Sequence, residues 1–290
     1  MLVNRRLVRQ YTPATQHGFL GAGHFARPVI QGAFADTDPF ILLMDDMLDK
    51  KTDEPAGGPH PHAGFETVSL LLEGEMGDEA HPMKGGDLQM MTAGSGVIHT
   101  ETIAKKIKMR LLQLWLTLPK SQRWAPPRVQ DISLDKVPKT SAGGVEINLY
   151  SGSLNGIESP VQNYTPVIIA DIRIRAHASA ILNLPATFST FLYVLEGSVS
   201  IGDERKWLNQ DQVGWLDRSM EESASRLSLF AGETDVRFIL YSGQPQGVPV
   251  VSHGPFIGDT QEDISRLYQE FRAGKMKHIE SVSKSQKLVW

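Results

Sequence analysis

The 290-residue sequence contains no cysteine. This absence excludes disulfide bridges, thiolate zinc sites, iron–sulfur clusters and cysteine nucleophiles, so any metal must be held by nitrogen and oxygen ligands. Long apolar runs are also missing. Stretches such as Phe40 to Met44 are far shorter than the roughly 18 to 20 residues that a membrane helix needs, and we expect no membrane association.

The chain also lacks a strong charge of either sign. It has 29 Lys and Arg residues against 33 Asp and Glu residues, a formal net charge of −4. Without a basic patch or a lysine- and arginine-rich run, we expect no direct nucleic-acid partner. Near the N-terminus, Arg5, Arg6 and Arg9 interrupt the apolar stretch that a secretory signal requires, which predicts a cytoplasmic protein.

What is present is a series of short β-branched and aromatic runs, such as Thr67 to Leu72 and Phe188 to Leu195, separated by scattered glycine and proline. This pattern predicts an all-β protein built as a sandwich or barrel. Two of the runs resemble each other. Val68 to Gly74 (VSLLLEG) leads through a loop to Asp87, and Phe191 to Gly197 (FLYVLEG) leads in the same way to Asp211. The similarity predicts two β-barrels derived from one repeated unit.

A proline-rich stretch interrupts the strand pattern between Pro126 and Lys139. We therefore predict an N-terminal domain of residues 1–130 and a C-terminal domain of residues 131–290. One helix is predicted at about 260–273, because Thr260 and Asp263 can form a capping box. Its apolar stripe favours a helix that covers a sheet, with docking of a partner as the alternative. The lysine-rich residues after it are predicted to form a solvated tail.

The histidines carry the clearest chemical signal. His60 and His62 are two residues apart, and residues two apart on an extended segment project from one face. His99 and Glu101 repeat this spacing. On facing strands, the two pairs would form a metal site of three nitrogens and one carboxylate; the alternative is that these histidines are hydrogen-bonded structural residues.

Three further positions remain open. Glu66 has the same strand parity as His60 and His62, so it is predicted to be a further ligand or a hydrogen-bond partner of a ligand, with an ion pair at the barrel mouth as the alternative. His24 and His81 stand alone and are interpreted as structural or exposed.

The second repeat has no equivalent ligand set. Counting from its Glu and Asp landmarks reaches four positions without a histidine, namely Asn183, Pro185, Ser223 and Ser225. We therefore predict one metal per chain, in the N-terminal barrel.

Several motifs together resemble the pirin family of bicupins over nearly the whole chain: DPF at Asp38 to Phe40, HPHAGFETV at His60 to Val68, MTAGSGVIHTE at Met91 to Glu101 and HGPF at His253 to Phe256. The resemblance implies two tandem cupin barrels of the jelly-roll type. It further implies one iron bound in the N-terminal barrel by His60, His62, His99 and Glu101. The general cupin pattern would instead place the carboxylate ligand at Glu66, and we follow the pirin pattern.

The resemblance also implies an activity. Bacterial pirin-like proteins are associated with quercetin 2,3-dioxygenase activity, so we expect a small aromatic or polyphenolic substrate and dioxygen as co-substrate, with Glu101 or Glu66 taking the proton of a substrate hydroxyl. Ligand softness alone admits Mn, Ni, Co, Cu or Zn as well as Fe, which the family favours. Another phenolic or a diketone substrate remains open. The alternative function is a non-enzymatic, metal-dependent or redox-sensing regulator that binds a partner protein.

Two residues depart from the family pattern. Ala63 stands where many members have arginine, and Met90 stands where many have tryptophan. Both lie close in sequence to the predicted ligands, so the shape and charge of the pocket are expected to differ.

Overall fold

A computed structural model describes residues 3–77 and 82–290 of the chain. His81, which is predicted to be structural or exposed, lies outside the described residues. The described residues form strands almost throughout, with one long helix near the C-terminus, and the predicted all-β class is confirmed. No helix in the described part of the chain is both long and apolar enough to cross a membrane.

The strands up to residue 136 are β1 (Val3–Asn4), β2 (Leu7–Tyr11), β3 (Gln16–His17), β4 (His24–Pro28), β5 (Phe40–Lys50), β6 (Ala56–His62), β7 (Phe65–Glu73), β8 (Glu75–Met76), β9 (Met83–Lys84), β10 (Leu88–Thr92), β11 (Val97–Ile103), β12 (Ile107–Thr117) and β13 (Arg128–Ile132). A one-turn helix α1 (Phe34–Thr37) precedes β5, and a 3-10 helix (Lys120–Gln122) follows β12.

The later strands are β14 (Lys139–Ala142), β15 (Val145–Ser151), β16 (Ser153–Leu154), β17 (Ile157–Glu158), β18 (Val167–Ile174), β19 (Ser179–Pro185), β20 (Ser189–Glu196), β21 (Ser198–Ile201), β22 (Lys206–Asn209), β23 (Val213–Leu216), β24 (Ala224–Ala231), β25 (Val236–Gly243), β26 (Val251–His253), β27 (Phe256–Gly258), β28 (Lys277–His278) and β29 (Lys287–Val289). Helix α2 (Gln261–Arg272) lies between β27 and β28, and two 3-10 helices (Ile279–Ser281 and Lys284–Gln286) precede β29.

The chain divides into two compact units. The first unit consists of Ala14–Lys136 with Gln246–Trp290, and the second of Met1–Pro13 with Val137–Pro245. The predicted division into 1–130 and 131–290 therefore differs from the structure at both chain ends. The physical reason is strand pairing between distant residues: β2 pairs with β23, while β28 and β29 pair with β11 and β13. No local sequence pattern encodes which barrel a terminal strand joins.

In the first unit, eight strands form a sheet in the order β29-β13-β10-β7-β12-β5-β4-β3, and a second sheet has the order β28-β11-β6. The predicted solvated tail is wrong, because β28 and β29 extend these two sheets. Side chains from the two sheets meet inside the unit, where the rings of His62 on β6 and Trp115 on β12 lie 5.4 Å apart.

The second unit repeats this arrangement. Its larger sheet contains the path β18-β25-β20-β23, which matches β5-β12-β7-β10 of the first unit. The two similar sequence runs lie on the equivalent strands β7 and β20, so the predicted repeat is confirmed. The core of the second unit consists almost entirely of leucine, isoleucine and valine, for example Leu182, Leu227 and Leu240. Core residues occupy every second position along their strands, because successive side chains point to opposite faces.

Helix α2 begins as the sequence predicts. The hydroxyl oxygen of Thr260 accepts a hydrogen bond from the Asp263 N–H at 3.2 Å, and the Asp263 carboxylate accepts one from the Thr260 N–H at 3.2 Å. Its buried residues Ile264 and Leu267 pack in the same cluster as Ala63. The helix therefore covers the core of the first unit, whereas the sequence predicts it to be part of the C-terminal domain.

Candidate metal centre

The candidate ligands lie on two paired strands of the first unit. Strands β6 and β11 are antiparallel, with His99 opposite His60 and Glu101 opposite Gly58. Since side chains alternate along a strand, residues two apart share a face. The pairing therefore brings His60, His62, His99 and Glu101 to one face of this sheet.

The three histidines converge closely. One ring nitrogen from each of His60, His62 and His99 lies within 4.8 Å of the other two, and the Nε2 atoms of His60 and His99 are 2.8 Å apart. The Glu101 carboxylate lies beside this trio, with Oε2 3.7 Å from Nε2 of His60. The structure thus brings together all four residues that the spacing selected.

The protonation of the three rings suits a metal site. His60 Nδ1 donates a hydrogen bond to the Gly58 carbonyl oxygen at 2.9 Å, which leaves the lone pair of Nε2 directed at the other histidines. Burial, together with the charges of the neighbouring histidines, lowers the pKa of His62 to about 3 and that of His99 to about 2. His62 and His99 are therefore neutral at neutral pH, which is the ligand form of imidazole.

The spacing of the nitrogens also fits a metal. Two nitrogen ligands at about 2.0 to 2.1 Å from an ion and at a right angle to each other are about 2.8 to 3.0 Å apart. The separation between Nε2 of His60 and Nε2 of His99 is 2.8 Å. In addition, Nδ1 of His62 is buried, and it has no hydrogen-bond partner among the described residues. A divalent transition metal would satisfy this arrangement of donors.

The two candidate carboxylates have different surroundings. Burial raises the pKa of Glu101, and the charge of Asp46 raises it further, against the opposing effect of His60. Glu66 is fully buried elsewhere: its Oε1 accepts a hydrogen bond from the Thr92 hydroxyl at 2.6 Å and lies 3.7 Å from the guanidinium of Arg128. In the described part of the chain, the expected hydrogen bond from Glu66 to a histidine of the cluster is absent.

A turn between β6 and β7 explains why the parity argument for Glu66 failed. Gly64 has a φ of +87°, which interrupts the extended chain after His62. Phe65, the first residue of β7, then faces the cluster, with its ring 5.2 Å from that of His62. Because side chains alternate, the next residue, Glu66, points to the opposite face.

The turn at Gly64 is held by an arginine for which the sequence predicts no role. The side chain of Arg123 is fully buried and donates hydrogen bonds of 2.9 Å to the Gly64 carbonyl oxygen and to the Thr117 hydroxyl. It also pairs with Asp259 at 2.9 Å. Arg123 therefore fixes the segment that joins the histidine strand to β7.

A cavity of about 760 Å³ opens beside the histidines. Its wall is mainly apolar and includes Phe19, Met44 and Trp115, while His60, His62 and Glu101 line one side. The volume lies in the range of about 300 to 1,000 Å³ typical of small-molecule sites. The cluster is thus accessible to an apolar ligand of moderate size.

The polar residues that line this cavity also include His24 and Asp46. The sequence predicts that His24 is structural or exposed, and it predicts no role for Asp46. His24 is buried, and its Nε2 lies 2.9 Å from Oδ1 of Asp46. A sequence signal did exist, since Asp46 is the one charged residue in the alternating series Leu42, Met44, Asp46 and Leu48 of β5.

The two departures from the family pattern lie outside the cavity wall. Ala63 is buried in the cluster under helix α2, and the sulfur of buried Met90 accepts a hydrogen bond from Gln130. Neither is among the described residues that line the cavity. Any effect of these two residues on ligand binding must therefore act through the packing behind the wall.

Comparison with known proteins identifies the relatives of this chain. Residues 24–116 match the family model described as Pirin, and residues 169–277 match the one described as Pirin C-terminal cupin domain. Pirin from Rattus norvegicus is 36% identical over 253 residues, which cover 82% of each chain. The chain belongs to the pirin family. Its two barrels are therefore the cupin pair that the motifs indicated.

Solved structures extend this similarity. A quercetin 2,3-dioxygenase from Acinetobacter baumannii is 26% identical, with a TM-score of 0.80, over 94% of this chain and 98% of its own. The bacterial pirin YhhW from Escherichia coli, crystallised in complex with nickel(II), is 17% identical with a TM-score of 0.57, over 82% of this chain and 99% of its own. At that identity, the comparison with YhhW shows the shared fold alone.

Proposed function

We propose that this pirin-family protein is a metal-dependent dioxygenase that acts on flavonols or related phenols such as quercetin, with dioxygen as co-substrate. It binds one divalent transition metal, iron in the first place, through His60, His62, His99 and Glu101. The observation that carries the proposal is the convergence of three imidazoles at the side of an apolar cavity.

The chemistry of the donors supports this function. Three neutral imidazoles and one carboxylate leave a divalent ion with a net charge of +1, and such an ion, when bound, supplies Lewis-acid and redox chemistry toward a phenolate and dioxygen. The partly buried carboxylate of Glu101, whose pKa is raised, can accept the proton of a substrate hydroxyl at Oε2. The apolar wall around Trp115 packs against aromatic rings and excludes water.

The relatives support the same proposal at the level of family. A structural neighbour of similar length carries the name quercetin 2,3-dioxygenase. A more distant pirin was crystallised with nickel(II), so the fold accommodates a divalent ion. Glu66 lies apart from the cluster, and we assign the proton-accepting role to Glu101 alone.

The decisive experiment combines metal analysis with an assay of quercetin turnover. Protein loaded with Fe, Mn, Co, Ni, Cu or Zn in turn should contain one equivalent of metal, and at least one form should consume dioxygen and release carbon monoxide from quercetin. His60→Ala should lose both metal and activity. His177→Asn is the control, because His177 is an exposed histidine that does not line this cavity. If no metal form releases carbon monoxide, the dioxygenase proposal falls and the regulator alternative takes its place.

A second pair of variants tests the ligand set. Loss of a residue that hydrogen-bonds a metal ligand lowers metal affinity roughly 10- to 100-fold. Glu101→Gln should lower it by more than this, because Glu101 is itself a proposed ligand. Glu66→Gln should keep its metal, because Glu66 contacts Thr92 and Arg128 instead. The reverse result would move the carboxylate ligand to Glu66.

A further inference from the structure

The inner wall of the cavity carries a carboxylate that the ligand set does not use. On strand β5, Asp46 lies between Met44 and Leu48 on the face that lines the cavity. The side chain of Asp46 is 19% exposed. Its neighbour Asp45 is fully buried and is neutralised by a two-point pair with Arg110, at 2.8 Å for each bond.

A histidine holds this carboxylate in place. His24 Nδ1 accepts a hydrogen bond from the Leu20 N–H at 3.1 Å, so the proton of the neutral ring resides on Nε2. Nε2 then donates to Oδ1 of Asp46 at 2.9 Å. The ring is 1% exposed and tightly seated, since a Cβ atom at Gly18 would overlap it. Within the described part of the chain, Oδ2 of Asp46 has no hydrogen-bond donor of its own.

Asp46 and Glu101 thus form a pair of acid groups in one cavity. They are close enough for the charge of Asp46 to act on Glu101. The rest of the cavity wall is mostly apolar and includes Met44, Leu111 and Trp115. A carboxylate in such surroundings gains most from a ligand that donates a hydrogen bond to it, because little water competes for the oxygen.

We propose that Asp46, oriented by His24, contacts the ligand and accepts a hydrogen bond from a second hydroxyl group of a polyphenol, and so selects polyhydroxylated aromatic ligands over those with a single hydroxyl. This inference rests on the proposed function, because it takes the first hydroxyl to lie at the histidine cluster. His24 is a positioning residue in this arrangement, since it acts through Asp46.

The test is a binding measurement without turnover. Metal-loaded protein, kept free of oxygen, is titrated with quercetin, which has several hydroxyl groups, and with 3-hydroxyflavone, which has one. Asp46→Asn should weaken quercetin binding about 10- to 100-fold, the range for a lost hydrogen bond to a charged group, and change 3-hydroxyflavone binding less than about twofold. Asp49→Asn is the matched control, because Asp49 lies on the same strand but does not line this cavity.

A positioning role for His24 makes a separate prediction. His24→Asn should reduce the preference for quercetin over 3-hydroxyflavone less than Asp46→Asn does. A purely structural role would weaken the binding of both ligands equally. If Asp46→Asn does not fold, Asp46→Glu, which retains the charge but displaces the oxygens by one methylene, should still weaken quercetin selectively.

The outcomes separate this inference from the proposed function. Selective loss of quercetin binding in Asp46→Asn supports the inference, even if the wild-type protein turns over no quercetin and the dioxygenase proposal fails. Equal effects on both ligands, or none, overturn the inference alone. A wild-type protein that binds neither ligand overturns both.

Discussion

The buried carboxyl of Glu66 should make the stability of this protein depend on pH in a way that one substitution removes. Its side chain is fully buried, and burial raises its pKa from 4.5 to about 7, against the hydrogen bond from Thr92 and the charge of Arg128. The perturbation is Glu66→Gln, which preserves the shape of the side chain and an oxygen for the Thr92 hydroxyl, and removes the titration.

The sign of the effect follows from proton binding. Between pH 4.5 and about 7, the folded state retains the Glu66 proton while the unfolded state has lost it, so this stabilising contribution is fully present below pH 4.5 and is lost as the pH rises toward 7. One pKa unit corresponds to about 1.4 kcal/mol, so the difference in the Glu66 pKa between the unfolded and the folded state corresponds to about 3 kcal/mol of unfolding free energy. The wild type should therefore lose about 3 kcal/mol more than Glu66→Gln between pH 4.5 and pH 8.

The assay is denaturant unfolding of both proteins across this pH range, with a chelator present so that metal binding does not contribute. His62 and His99 act in the opposite direction: their pKa values are lowered in the folded state, so their contribution is lost as the pH falls below about 6.5. They titrate in both proteins, so the difference between the two cancels their effect. The buried amide of Glu66→Gln should also change the free energy of unfolding by a constant amount that does not vary with pH.

The control is Glu73→Gln, an exposed carboxylate on the same strand that pairs with Lys108. It should show the wild-type pH dependence. If Glu66→Gln also retained the wild-type pH dependence, Glu66 would be ionised in the folded protein and our account of its surroundings would be refuted.

Three further substitutions test how the site is held in place. Gly64→Ala should unfold at a lower denaturant concentration than Gly156→Ala. Both positions have positive φ, but only a Cβ at Gly64 would overlap a backbone carbonyl. Equal losses of stability in the two variants would contradict this. Arg123→Met should lower the free energy of unfolding, measured by chemical denaturation, by about 3 to 5 kcal/mol, because it leaves the partly buried Asp259 unpaired. A loss below about 1 kcal/mol would mean that the ion pair is dispensable. Thr260→Ala should cost about 0.5 to 2 kcal/mol of unfolding free energy through loss of the helix cap, and the loss should disappear in Thr260→Ser.

The candidate site shows where local reasoning succeeds. His60 and His62, like His99 and Glu101, lie on single uninterrupted strands, so the two-residue period alone predicts which side chains share a face. The same rule failed for Glu66, because a left-handed glycine lies between it and His62 and changes the face that follows. Counting residues across a turn assumes an extended chain that the turn does not have.

The sequence by itself determined the all-β class, the repeated unit and the capped helix, because alternation, turn residues and capping depend on neighbours within a few positions. Only the tertiary structure decided which barrel takes the terminal strands and that His24 and Asp46 meet beside the histidine cluster. These contacts join residues that lie far apart along the chain, and their energy comes from packing and desolvation after the sheets have formed, which no local pattern records.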